Sequence, residues 1–370
     1  MMQRLLTLLR PVQAYVAQLW KTLTVGWSDF WFTPVDPATL SVVRICAGFV
    51  VLYIFLSCAP ERLNLIGPNA WIDSQAIGNL QQLGTESAEG TEEFVARWWG
   101  QSIWNHVHSE AAASALYWGL VAAAFCFMVG CFSRTANLLV LVGHLSFVHR
   151  SYVAWFGMDS ILAMILLYLL IGPSGQAYSV DRWIRNWRAK KSDSPLPETS
   201  EDSWLANVSL RMIQIHMCVI YLCSGLAKLQ GETWWDGTAV LRSLMGYELA
   251  PVDLRWLGNF SDVQLEWFSS LSVVATLVFE IGFAFLIWNR LLRPLLLVGA
   301  IGLHMGIATL MGLIGFGLIM ITGCLAFVAP SSIRWVIGVL TEPKAASTEP
   351  ALTETAPTED VDASAELSGV

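Results

Sequence analysis

The chain has 370 residues, 55% of them hydrophobic and only 14% charged, with a mean hydropathy of +0.54. A soluble domain carries about 25% charged residues, and several runs here approach the ~20 apolar residues that cross a bilayer; the composition excludes a soluble globular protein and points to a polytopic membrane protein. The net charge of -8 owes much to one acidic C-terminal stretch, and no basic, aromatic-interleaved face suited to nucleic acid is present.

Residues 1–38 scatter Arg4, Arg10 and Lys21 among Tyr15, Trp20, Trp27, Phe30 and Trp31. That mixture predicts an amphipathic interfacial helix in place of a cleavable signal. Residues 39–335 then read as an all-α integral membrane domain, a bundle of about eight transmembrane helices. The spans are expected near 40–59, 112–131, 136–150, 155–173, 205–229, 268–288, 292–311 and 312–330. A long acidic loop rich in Trp (Trp71, Trp98, Trp99, Trp104) separates the first two, as at a headgroup layer. A basic segment holding Arg182, Arg185, Arg188, Lys190 and Lys191 follows the fourth, and a Trp/Gly loop follows the fifth. Residues 341–370, repeating Thr, Ala, Pro and Glu, read as a disordered acidic tail. The seven cysteines form no C-x-x-C and mostly lie in apolar runs, where Cys acts as a small hydrophobe. No metal site is predicted.

Orientation follows from Lys and Arg. With the N-terminus inside and eight spans, the inner side collects Arg4, Arg10, Lys21, Arg134, Arg182, Arg185, Arg188, Lys190, Lys191, Arg290, Arg293, Arg334 and Lys344. The outer side collects Arg62, Arg97, Arg150, Lys228, Arg242 and Arg255. Thirteen against six places both termini in the cytoplasm and the two long loops outside.

Polar residues within spans are costly and need partners or tasks. Lys228 closes the fifth span, where it either snorkels or works. Asp159 sits near the outer end of the fourth and His304 midway along the seventh; with Lys228 they converge if those helices are neighbours. Glu280 lies deeper in the sixth, and Arg211 or His216 is the expected partner of a structural ion pair. Arg44, near the start of the first span, is expected to snorkel to the interface.

Ser224-Gly225-Leu226-Ala227-Lys228-Leu229, followed by Trp234, Trp235 and Gly237-Thr238-Ala239, resembles the signature of the HTTM domain. This is the membrane domain shared by vitamin K-dependent γ-glutamyl carboxylases and bacterial relatives. Ser179-Val180-Asp181 after the fourth span, Phe279-Glu280 ahead of His304, and Arg44 agree in order, so the resemblance spans about residues 40–330. It implies that Lys228 is the base that deprotonates a reduced quinone resembling vitamin K hydroquinone. It further implies that His304 stabilises charge or positions the quinone; Asp159, from its expected depth beside them, is counted as the third catalytic residue, and Trp234, Trp235 and Gly225 are expected to hold the cofactor. Lyase chemistry in a multi-pass bacterial inner-membrane protein would follow. The family's Asn-His pair before the fourth span is replaced by Phe156-Gly157-Met158-Asp159. No counterpart of the carboxylases' large outer domain is present, so a protein substrate is not expected and a smaller one is. The rival reading is a non-catalytic membrane protein that binds or carries a lipid or small molecule in the same bundle.

Overall fold

The computed structural model describes residues 2–72, 79, 102–151, 156–192, 200–245 and 252–341, with side chains from residue 14 onward. The tail from residue 342, Trp98 and Trp99 of the first loop, and most of the polar linker at 192–203 lie outside the described residues. Among those described the chain is helical, apart from one isolated bridge between Val35 and Ser203. In chain order the helices are α1 (Met2–Phe32), α2 (Ala38–Cys58), α3 (Arg62–Ile66), α4 (Glu110–Val129), α5 (Ser133–Arg150), α6 (Gly157–Ile171) and α7 (Val180–Lys191). They continue as α8 (Trp204–Lys228), α9 (Glu232–Trp235), α10 (Ala239–Met245), α11 (Asp262–Leu286), α12 (Arg293–Leu310), α13 (Ile314–Cys324) and α14 (Pro330–Thr341).

Local chemistry sets the boundaries. Ser109 accepts from Ala112 N–H to start α4, and Gly130 ends it in the left-handed conformation with φ 74°. Ser261 and Gln264 cap α11 reciprocally. Helices stand at all eight expected spans, but not all of them are long and apolar enough by themselves to cross. α2, α4, α8, α11 and α12 are long and apolar enough to cross. A sixth is added if α13, extended to Phe327, and α14 act as one span broken by a 112° bend. The other expected spans are short or polar: α6 has 15 residues, about 22 Å of rise against a ~30 Å hydrocarbon core.

α2 is the central pillar, packed by α4, α6 and α13, with Val43, Ala47, Val51 and Phe55 fully buried. Arg44 does not snorkel. It is fully buried, and its guanidinium donates to the carbonyls of Ser174 (3.1 Å) and Tyr178 (2.6 Å). The turn leaving α6 thus supplies acceptors that replace water for the cation. The Ser179-Val180-Asp181 motif finishes that turn. Ser179 Oγ caps α7 by accepting from Arg182 N–H, while Asp181 accepts from the N–H groups of Phe132 and Ser133 and from Ser133 Oγ. Asp36, Ser200 and Arg334 hydrogen-bond to one another, tying the α1–α2 link to α14. α8 packs along α11, and α12 against α13, and between these pairs the site lies.

Candidate functional site

α8 carries Tyr221, Ser224, Gly225 and Lys228 on one face, at helical spacings of three, four and seven. Gly225 sets how closely α8 meets α11. A Cβ there would stand 2.7 Å from Ile281 Cγ1 and 3.3 Å from Glu280 Cβ. The close approach brings Glu280 to Lys228: Lys228 Nζ donates to Glu280 Oε2 at 2.7 Å, to Oε1 at 3.0 Å and to Ser224 Oγ at 2.6 Å. Glu280 is 8% and Lys228 23% exposed. The Trp234 ring lies 5.4 Å from Nζ, adding a cation–π contact. A lone charge at this depth would be expensive, and the pair removes it.

A second cluster faces the first. Tyr221 OH lies 2.7 Å from His304 Nε2 and 3.6 Å from Cys324 Sγ, and its ring stacks on Phe283 at 4.2 Å. His304 Nδ1 is buried with no hydrogen-bond partner. Both clusters line one cavity of about 550 Å³ between α8, α11 and α12, closed by α10, Trp234 and the Phe156/Phe316 pair. Apart from Ser243, Ser272 and Thr276, the rest of its wall is apolar. On α12, Gly302 and Gly306 leave bare backbone, where an added Cβ would meet nothing within 4 Å. Size and lining suit a small amphipathic ligand.

The expected residues divide. Lys228, His304 and Trp234 line the cavity. Asp159 does not: it holds the N–H of Phe156, the wall residue, at 3.0 Å, and its backbone carbonyl meets His144 Nε2 at 3.1 Å. Trp235 is 74% exposed, its indole donating to Leu229 O outside the cavity. Gly225 acts through packing and touches no cavity space. The ion pair expected of Glu280 with Arg211 or His216 is not formed, because Lys228 occupies the carboxylate. Arg211 instead donates to Phe30 O and lies 4.4 Å over the Phe30 ring, and His216 pairs with Tyr168 OH at 2.8 Å. Tyr221 and Ser224 were not expected as site residues, although their spacing from Lys228 on one helix face was the available signal.

The decisive comparison is with protein families: a family model for the HTTM domain matches residues 76–332, more than half of the chain. The chain belongs to the HTTM domain family. No curated protein and no solved structure matches it. The family match covers all of the cavity lining and agrees with the resemblance carried by residues 224–229. It begins after α2, which is buried at the centre of the same helical bundle. The family and the apolar helices make this an integral membrane protein.

Proposed function

We propose that this HTTM protein binds a reduced quinone-like lipid in the 550 Å³ cavity, and that the Lys228–Glu280 pair takes a proton from its ring hydroxyl, as a carboxylase-like enzyme would require. The observation that carries the reading is that pair, set in the wall of a largely apolar cavity that His304 also lines. A ring hydroxyl is placed at Lys228 and Glu280, and the rest of the ring lies against the wall that His304 also lines. A bound reduced quinone supplies an ionisable ring hydroxyl. In the ion pair Lys228 is donor only and Glu280 acceptor only. Glu280 therefore takes the proton, and Lys228, with Ser224, holds the oxygen left charged. Tyr221 fixes the His304 ring, and Trp234 covers the cation and keeps water away.

The same reading places the chain in a bacterial inner membrane with eight spans and cytoplasmic termini. The Lys and Arg distribution supports this. A second reading, a non-catalytic lipid binder, draws on one observation: Asp159 stands behind Phe156 and offers no third group to the cavity.

The test uses the full chain in nanodiscs and a reduced, prenylated naphthoquinone under anaerobic conditions. Quenching of tryptophan fluorescence reads binding, and the absorbance of the ionised probe reads proton transfer. Glu280→Gln should retain binding and lose the ionised absorbance. Binding without ionisation in the unaltered protein favours the non-catalytic binder; no binding sinks the quinone reading.

A further inference from the structure

A second cavity lies at the opposite end of α6. Phe156, just before α6, closes the first cavity, whereas Pro173 and Gly175, just after it, line the second. This one measures about 540 Å³ and is more polar than the first. Arg134, Arg185 and Arg188 stand around it. The one acid in its wall, Asp181, is already committed: its two oxygens accept from Phe132 N–H, Ser133 N–H and Ser133 Oγ. The lining is therefore cationic in effect. Gln176 adds an acceptor, since its side-chain carbonyl oxygen is buried with no hydrogen-bond partner.

The helix that supplies two of these arginines is built for a membrane surface. α7 exposes Trp183 (67%) and Trp187 (54%) four residues apart on one face. Solvent gives no reason for such a face, whereas the headgroup layer does. A basic amphipathic helix with indoles on one side lies in the plane of that layer. α7 connects to the end of α6 through the turn that Arg44 fastens, so the cavity is held at that level.

We propose that this cavity is a headgroup site for an anionic phospholipid carrying headgroup hydroxyls. The phosphate sits among Arg134, Arg185 and Arg188, whose guanidinium forks match its oxygens. A headgroup hydroxyl donates to Gln176 Oε1. The acyl chains pass Trp183 and Trp187 into the bilayer. The site is separate from the quinone cavity and does not depend on that reading. Charge complementarity selects an anionic headgroup, and the exposed indoles select a lipid over a soluble phosphate.

The experiment is thermal unfolding of the full chain in neutral detergent, titrated with phosphatidylglycerol, phosphatidylcholine or inorganic phosphate. Phosphatidylglycerol should raise the unfolding temperature saturably, and the other two should not at equal concentration. Arg185→Gln should raise the half-saturating concentration about tenfold, and Arg185→Gln with Arg188→Gln about a hundredfold, a charge-assisted hydrogen bond to phosphate being worth about 1.5 kcal/mol. Lys190→Gln with Lys191→Gln, outside the cavity, removes equal charge and should weaken binding far less. Gln176→Leu removes the acceptor without altering charge and should raise the half-saturating concentration of phosphatidylglycerol. Equal responses to phosphatidylcholine, or equal losses in the two double variants, would reduce the feature to diffuse surface charge and overturn the site. Protection by inorganic phosphate alone would make it a soluble-anion site and equally overturn the proposal.

Discussion

Lys228 Nζ lies 2.7 Å from Glu280 Oε2 and 3.0 Å from Oε1, joining α8 to α11 at the wall of the larger cavity. The two residues are 52 apart in the chain and meet because Gly225 lets the helices close. The contact that holds the two helices together is therefore also the polar centre of the cavity wall.

Removing one partner strands the other. Lys228→Met or Glu280→Leu alone should each cost roughly 3–5 kcal/mol, while the double variant recovers most of that loss. A double-mutant cycle on unfolding in mixed micelles measures the coupling. Additive single losses would mean that the pair contributes nothing jointly.

Two glycines on facing helices should respond oppositely to one methyl group. Replacing a helical Gly by Ala gains about 1 kcal/mol of helix propensity. At Gly302 nothing opposes that gain, because no atom lies within 4 Å of the new Cβ. At Gly225 the Cβ meets Ile281, and overpacking costs typically ~1–3 kcal/mol. Gly302→Ala should be neutral or stabilising, and Gly225→Ala destabilising with weakened probe binding. Equal unfolding temperatures for the two would contradict the close approach.

The neighbouring tryptophans should also separate. Trp234 covers Lys228 in the cavity, whereas Trp235 faces outward. Trp234→Ala should weaken quinol binding about tenfold or more, given an aromatic contact and a cation–π interaction worth ~1–2 kcal/mol together. Trp235→Ala should leave it unchanged. A fluorescence titration of both variants decides.

At the other end of the bundle the pH dependence has a definite sign. Burial acts to raise the pKa of the Asp181 carboxyl, but hydrogen bonds from Ser133 and Phe132, with the charge of Arg185, outweigh it and hold the pKa below the ordinary value. A lowered folded-state pKa means stability that is present above the unfolded pKa of about 4 and is lost as pH falls through the folded value. Asp181→Asn should therefore unfold at lower temperature than the parent at pH 7. The gap should narrow progressively below about pH 4. A gap that widened in acid would reverse the assignment.

The helices were legible because lipid imposes long apolar runs, and eleven residues around Lys228 carried the family. Pairing was not legible. Sequence gives the depth of Glu280 along α11 but neither the rotation of that helix nor its neighbour, so Arg211 and His216, at plausible depths, competed with Lys228. Asp159 was misplaced for the same reason: correct at its end of α6, it turns toward His144 and the backbone of Phe156. Arg44 escaped because acceptors for a buried guanidinium come from backbone carbonyls 130 and 134 residues away, which no side-chain pattern announces.

Arg44 and its helix also separate two units that are easily equated. The homologous stretch begins at residue 76, yet the pillar that the bundle closes around ends at Cys58, and Phe30 before it fastens Asn207 and Arg211 of α8. A truncation drawn at the family boundary would keep every cavity-lining residue and discard the mould that shapes them. A piece meant to keep these contacts has to begin ahead of residue 30, because the bundle is assembled around a helix that lies upstream of the recognised signature.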